Sequence, residues 1–443
     1  MRVLVTRSTT WCAWRIQPRL TAVLVCAGLF ATLHASGAAH AQAPLSLPEA
    51  LRLAEAHSPQ LASAEYAATA ARERGIASSQ LPDPVLRLGL DNVPVTGPDA
   101  YSLTTDFMTM RRIGVMQEFT DSEKRDLRRQ RGNVEADREL AKRDAARATL
   151  RQEVALAWLD QYFAQRTAEL WRVLVQEIRL QTTSLEAGLA TGRANASELR
   201  AAQAVLVQSE DQIAASEQQA RIGTTMLARW LGADARRNAG PLPDMSSVGY
   251  NAEETAELIG HPQLALLRQD TLLAETDLKL ASRSKVPDWS VEVAYQQRGP
   301  AYSNMVSIGV SIPLPLFPNE RQDRGIAASQ AQLAQVETLF QDTLQQHQTE
   351  LRVSFEEWRS LQRRAQSLQN TLLPLAADRV QQTLASYAGG TASLAQVLEA
   401  RRAAVDARMQ VLLLERDAAR AWAKVNFQFG EPTNHAQASG DRP

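Results

Sequence analysis

The sequence predicts a mainly α-helical chain with transmembrane β, built as two tandem repeats of helix, β-strand pair and long helical hairpin. Three observations predict it. Short motifs recur at an offset near 200 residues, four short segments alternate with period two, and a stretch of about 66 residues lacks proline altogether.

The repeat organises everything else. Pro59-Gln60-Leu61-Ala62 returns as Pro262-Gln263-Leu264-Ala265, an offset of 203. The same offset carries Ala71 to Ala274, Ser79 to Ser282 and Pro84 to Pro287, and lays Leu86, Leu88 and Leu90 over Trp289, Val291 and Val293. A Gly-containing break at 187–197 is answered by one at 386–393. The expected layout is a leader over 1–41, a first repeat over 42–245, a second over 246–430 and a flexible tail over 431–443.

Each repeat opens with a helix of about 35 residues, Leu47–Ser79 and Ala252–Ser284, ended by a proline that lacks the N–H and restrains its neighbour. The strands follow, near 85–92 and 106–119, then 289–297 and 304–314. In the first, Leu86, Leu88 and Leu90 face one way, and Val85, Arg87, Gly89 and Asp91 the other. In the second, Phe107, Ile113, Val115 and Phe119 (with Arg111) oppose Asp106, Met108, Met110, Arg112, Met116 and Glu118. Trp289, Val291, Val293 and Tyr295 alternate with Ser290, Glu292 and Gln296, and Val306, Ile308, Val310 and Ile312 with Ser307, Gly309 and Ser311. Such a period, at about ten residues per segment, marks a transmembrane strand, apolar outward and polar inward. A half-buried soluble sheet alternates in the same way, so the helices must decide.

From Asp121 to about Glu186 only Gly132 interrupts helix-forming sequence. At 1.5 Å per residue such a helix runs roughly 100 Å, too long for a globular domain. Leu199, Leu206, Ile213, Ala220 and Leu227 step by sevens, as do Leu398, Val405, Leu412 and Ala419, the seams of helices that supercoil. A cytoskeletal-type coiled coil would not be interrupted by strand pairs at equivalent points of two repeats. Four strands cannot close a barrel, since the smallest closed transmembrane barrels have eight. Strands in lipid leave no open edge, so several chains must share one barrel.

Composition excludes much else. The 48 basic and 49 acidic side chains balance, which argues against a nucleic-acid partner that needs a basic face. Both cysteines, Cys12 and Cys26, lie in the first thirty residues, so the body of the chain has no disulfide framework and no thiolate site. No HExxH, CxxC, GxSxG or GxxxxGKS pattern occurs, and no enzyme and no cofactor is expected. His57 and His261 sit at nearly equivalent repeat positions, where local structure accounts for them. Met108, Met110 and Met116 have even numbers on one strand and share its polar face. Thioethers suit Cu(I) and Ag(I), so these are weak candidate metal ligands. Methionine is also a flexible filler of irregular space, and that reading is preferred.

The first residues read as an address. Arg2, Arg7, Arg15 and Arg19 lead an apolar run from Leu20 to Leu33, and Ala39-His40-Ala41 supplies an A-x-A cleavage site. About fourteen apolar residues are too few for a span, which needs about 20. Cleavage after Ala41 removes four basic and no acidic residues, leaving a mature chain of charge −5. No later run is long and apolar enough for a membrane helix.

In this order, and twice over, Ser58-Pro59-Gln60-Leu61, His261-Pro262-Gln263-Leu264, Leu81-Pro82-Asp83-Pro84 and Ser311-Ile312-Pro313-Leu314-Pro315-Leu316-Phe317 resemble the TolC-type outer-membrane efflux family over residues 45–430. The stretches LPDPVLRLGLDNVP and DFMTMRRIGVMQEF are most similar to its heavy-metal branch, the CusC- and CzcC-like proteins of RND tripartite systems. The resemblance implies a homotrimer in the outer membrane, with a twelve-strand β-barrel on an α-helical periplasmic tunnel. Its partners would be a periplasmic adaptor (membrane fusion protein), an inner-membrane RND pump and outer-membrane lipid. The implied function is passive conduction of heavy-metal cations (copper and silver, or cobalt, zinc and cadmium), with organic compounds or antibiotics as the alternative cargo. Many relatives carry an acylated N-terminal cysteine. A mature start near Gln42 has none, so this chain is expected not to be a lipoprotein. The family's periplasmic tip and docking surface map onto Gly192, Arg193, Asn195, Ser197 and Leu199, and onto Gly390, Thr391, Ser393 and Leu394. A periplasmic adaptor is the competing class, but it would carry one hairpin between soluble β-domains. A secreted structural coiled coil would predict no membrane association at all.

Overall fold

The computed structural model describes residues 43–192, 195–248 and 261–428. The leader, the tail and the first part of the second repeat's opening helix lie outside the described residues. Serine begins the first two helices. Ser46 caps α1 (Leu47–Ala56), its Oγ accepting from the Glu49 N–H, and Ser58 caps α2 (Pro59–Ser78) through the Leu61 N–H. The single helix expected over 47–79 is therefore broken at His57-Ser58. Pro59 has no N–H to continue the ladder and disfavours helical geometry at the residue before it, and Ser58 is extended.

Strand β1 (Val85–Asp91) pairs antiparallel with β2 (Met110–Phe119). β2 begins four residues later than the sequence suggests. The Asp106 carboxylate accepts from the Met108 N–H at 2.7 Å and the Thr109 N–H at 3.2 Å, a side-chain turn that holds 106–109 out of the ladder. From Ser122 to Ala190 runs α3, 69 residues or roughly 100 Å. It reverses into α4 (Ala196–Leu231), which ends in a 3₁₀ turn over 232–236.

The second repeat follows the same plan. α5 (Pro262–Arg283) leads to β3 (Trp289–Gln297) and β4 (Met305–Ser311), then α6 (Gln322–Ser367), α7 (Leu373–Ala388) and α8 (Leu394–Ala423). β4 stops at Ser311, short of the expected 314, because Pro313 and Pro315 cannot donate to a ladder. The helix from 322 is not continuous either. A π turn at 368–372 precedes Pro374, and it absorbs the hydrogen bond that proline cannot make.

The four strands form one antiparallel meander in the order β1-β2-β3-β4. Below it, helices of both repeats pack side by side. The largest core gathers Leu45, Trp158, Leu159, Phe163, Leu227, Leu231, Trp358 and Trp422. The Trp158 Nε1–H donates to the Leu45 carbonyl at 2.9 Å, and Leu45 bridges to Ala239. Arg237 grips Glu49 with two hydrogen bonds, 2.7 and 3.1 Å, tying the end of the first repeat to its beginning. Arg131–Asp277 at 2.6 Å and Arg138–Asp270 join α3 to α5 across the repeats.

α2 and α3 meet at Gly75 and Gly132, the one glycine between Asp121 and Glu186. A Cβ on Gly132 would lie 2.3 Å from the Gly75 Cα, closer than atoms pack. Alanine in place of glycine ordinarily strengthens a helix by about 1 kcal/mol. Gly132→Ala should instead destabilise by about 1–3 kcal/mol through overpacking, seen as a lower thermal midpoint of the detergent-solubilised protein. A Gly132→Ala variant as stable as the parent would show that the two helices do not touch there.

Candidate functional site

The sheet presents two unlike faces, set by strand register. Leu86 lies opposite Val115, Leu88 opposite Ile113, Val115 opposite Val293, Val293 opposite Ile308, and Phe119 opposite Trp289. Phe119 and Trp289 stack with ring centroids 4.5 Å apart. Apart from Arg111, Gln117 and Gln297 this face is apolar, yet Leu88 is 71% and Ile308 73% exposed in the single chain. Leu314, Leu316 and Phe317 continue this exposed apolar surface beyond β4. Among the described residues no helix is long and apolar enough to cross a membrane. β1 and β4 are its edges and, among the described residues, pair with nothing on their outer sides.

The other face is polar. Arg87, Asp91, Met110, Arg112, Met116, Glu118, Glu292, Gln296, Ser307 and Ser311 line it at alternating register positions. The structure does not gather the candidate methionines into a site. Met108 precedes β2. Met110 and Met116 are six residues apart on it, roughly 20 Å at strand spacing. The Met116 sulfur accepts a hydrogen bond from Arg87 Nη2 at 3.1 Å. Among the described residues no group of three or more His, Cys, Asp or Glu is placed to hold a metal ion.

His57 and His261 are not equivalent. His57 follows the last turn of α1, whereas His261 is the N-cap of α5, its Nδ1 accepting from the Gln263 N–H at 3.1 Å. At the exact offset of 203 it is Ser58 that corresponds to His261, and both cap a helix opening with Pro-Gln-Leu. The His261 ring also lies against that of buried His347, tilted by 36° with centroids 4.3 Å apart, and His347 contacts Gln263 and Glu350.

Where sheet meets helices, charge does the joining. Asp121 caps α3 through the Lys124 N–H and receives two hydrogen bonds from Arg283, 2.9 and 3.2 Å. Lys124, nearly buried, donates to Asp288 at 2.9 Å and to the Val286 carbonyl. Both repeats thus converge on one ionic knot at the foot of the sheet.

At the far end are the two hairpin turns. Gly192 has φ +71° and Gly390 φ +74°, left-handed values that favour glycine. Asn195 caps α4 through the Ser197 N–H at 3.0 Å. Ser393 and Gln396 form a capping box on α8, and the Thr391 N–H bonds the Ser386 carbonyl. Leu394 packs on Leu185, Leu199 and Ala202, so the turns of both repeats share one apolar cluster. Beside it a cleft of about 350 Å³ lies between α3, α4 and α8, bordered by the Glu177–Arg401 pair at 3.1 Å. Arg193, expected at this tip, lies outside the described residues. Sequence reasoning found the turn residues by their chemistry, but it missed Leu185 and Ala202, which look like any other apolar helix positions.

The sequence pattern of the outer membrane efflux protein family matches residues 256–431, most of the second repeat. No curated protein sequence matches the chain. Solved structures extend the likeness to nearly the whole molecule. CusC, described in crystal structures of its folding and transmembrane channel formation, superposes with a TM-score of 0.69 at 17% identity, covering 88% of this chain and 93% of its own. The outer membrane protein VceC of Vibrio cholerae gives 0.70 at 19% identity, covering 86% and 94%. The Campylobacter jejuni CmeC outer membrane channel gives 0.71 at 13%, covering 88% of each. At these identities the likeness establishes the fold, that of outer-membrane channels with a helical tunnel.

The ionic knot makes an acid-sensitivity prediction. The Arg283 hydrogen bonds hold the Asp121 carboxyl below its ordinary value, against the opposing effect of burial and with help from the Lys124 N–H and nearby positive charge. A lowered folded value means that the stabilisation is complete above the unfolded value near pH 4 and is lost as pH falls through the folded one. Asp121→Asn keeps the cap but not the charge. It should therefore lower the thermal midpoint at neutral pH and flatten its fall below about pH 4; parallel curves for the two proteins would remove the pair from the account.

Proposed function

We propose that this chain, with the fold of outer-membrane efflux channels and that family's sequence pattern in its second repeat, is the exit duct of a tripartite RND efflux system. The single observation that carries the reading is the four-stranded sheet. Its apolar face is exposed, both edges are open among the described residues, and it stands on long helices of which α3 runs roughly 100 Å. Three copies, edge to edge, supply twelve strands, close every backbone edge, and put the apolar faces toward lipid and the polar faces toward a lumen. The helices of three copies then continue the lumen through the periplasm as a tunnel. Such a duct conducts passively. Energy comes from an inner-membrane pump, reached through a periplasmic adaptor, and nothing in the reading calls for enzymatic chemistry.

The adaptor would meet the hairpin tips. Gly192, Arg193, Asn195, Ser197 and Leu199, with Gly390, Thr391, Ser393 and Leu394, are the proposed docking region. What supports this is that the two turns share the Leu185–Leu199–Ala202–Leu394 cluster, with an apolar cleft beside it. An adaptor side chain entering that cleft would sense both repeats at once.

For cargo we favour heavy-metal cations. The support is the resemblance of the first strand pair to the CusC- and CzcC-like branch, together with the fold likeness to CusC. Channels such as VceC and CmeC share the fold equally, so the cargo must be tested directly. A deletion strain grown on graded copper, silver, zinc, cadmium and cobalt, beside dyes and antibiotics, should lose tolerance to one or two metals only. Sensitivity to organic compounds with normal metal tolerance would keep the duct and discard the metal cargo. In the same strain, a variant with Met108, Met110 and Met116 all changed to Leu should restore full tolerance, because the three thioethers do not converge. Failure to restore copper or silver tolerance, with the variant correctly inserted, would revive a thioether relay.

A further inference from the structure

On the polar face, Arg87 of β1 lies opposite Gly114 of β2, which lies opposite Ala294 of β3. β1 and β3 are two strand spacings apart, about 10 Å, too far for most side chains to bridge over an occupied middle strand. Gly114 leaves the middle unoccupied. A Cβ there would lie 2.8 Å from that of Ala294, so the sheet has no room for one. Through this trough the Arg87 guanidinium crosses β2 and reaches Glu292 on β3, Nη1 to Oε2 at 3.0 Å. Ala294, on the polar face, is left 2% exposed.

Glu292 is shared. Its Oε1 also faces Arg112 Nη1 at 3.7 Å, and Arg112 Nε faces Asp91 at 3.5 Å. Glu292 Oε1 and Arg112 Nε are buried and accept or donate no hydrogen bond among the described residues, so what each faces at these distances is opposite charge. Two guanidiniums and two carboxylates from three strands therefore form one neutral, partly desolvated network, with Glu292 touching both cations.

We propose that Glu292 is a selectivity-determining residue of the barrel, keeping two arginines from presenting positive charge to what passes through the lumen. The inference rests on the channel reading above. A duct whose wall carried Arg87 and Arg112 uncompensated would hold a ring of positive charge in each closed barrel, and such rings select for anions. For a cationic cargo that would be a barrier. With Glu292 in place the wall is neutral at this level, and Glu118 further down the same face adds only negative charge.

The test is the reversal potential of the full-length protein in planar lipid bilayers under a potassium chloride gradient. Glu292→Gln leaves the network with one net positive charge per chain and should move the reversal potential toward that of chloride. Arg87→Gln leaves one net negative charge and should move it toward that of potassium. The double variant, neutral again, should return close to the parent. Conducting channels with the same reversal potential in all four proteins would overturn the role of Glu292 and leave the duct standing. A parent protein that forms no conducting channel would overturn the duct reading, and this inference with it. Should Glu292→Gln fail to assemble as a heat-stable oligomer, Arg87→Gln decides alone, since Glu292 still holds Arg112 there and an unmoved potential rejects the proposal.

Discussion

A backbone N–H or C=O left unpaired in hydrocarbon costs several kcal/mol, and β1 and β4 each offer an edge of such groups. The rest of the molecule is arranged around that constraint. Four strands cannot satisfy their own edges, so in the proposed barrel other copies do. For copies to meet edge to edge in register, something outside the membrane has to hold them parallel. The long helices are suited to this, because they run in the same chain as the strands and are locked to them by the Asp121–Arg283 and Lys124–Asp288 pairs. An apolar face that looks wasted in one chain becomes the outer surface of an assembly.

The two repeats show how far one plan tolerates different residues. Ser58 and His261 both cap a helix that opens with proline, one with a hydroxyl and the other with an imidazole nitrogen. Both hairpins reverse through a left-handed glycine, and both returning helices are capped by a polar side chain. They part company along the descending arm. α3 runs unbroken for 69 residues, whereas its counterpart contains the π turn before Pro374. A single proline accounts for the difference.

Much of this was legible in the sequence, for identifiable reasons. Strand faces could be read because alternation has a period of two and lipid tolerates little charge, and the observed register of Leu86, Val115, Val293 and Ile308 follows it. The length of α3 could be read because nothing between Asp121 and Glu186 breaks a helix. What could not be read was whatever depends on distant partners. The break before Pro59 is the exception, a local event set by the proline and the Ser58 cap that a single helix over 47–79 overlooks. Asp106 withdraws four residues from β2 through a turn that propensity does not encode. The bridge from Arg87 to Glu292 spans 205 positions and exists only because Gly114 stands between them. Gly132 stood out as the sole glycine between Asp121 and Glu186, but its partner Gly75 did not. At the tips the turn residues announced themselves, while the apolar cluster joining the two turns did not.

The contact between Gly75 and Gly132 also acts as a vertical stop. Two helices that touch backbone to backbone at one point cannot slide along each other without driving a side chain into the gap. Gly132 stands eleven residues from Asp121, roughly 16 Å along the axis, and β2 ends at Phe119, two residues before that cap. The height of the apolar sheet face over the helical core is thus gauged by a pair of residues with no side chains. An insertion between strand and helix could not be absorbed by slippage at this crossing; in the proposed barrel it would raise or lower the belt of every copy against its neighbours, and the bilayer would have to bend to follow.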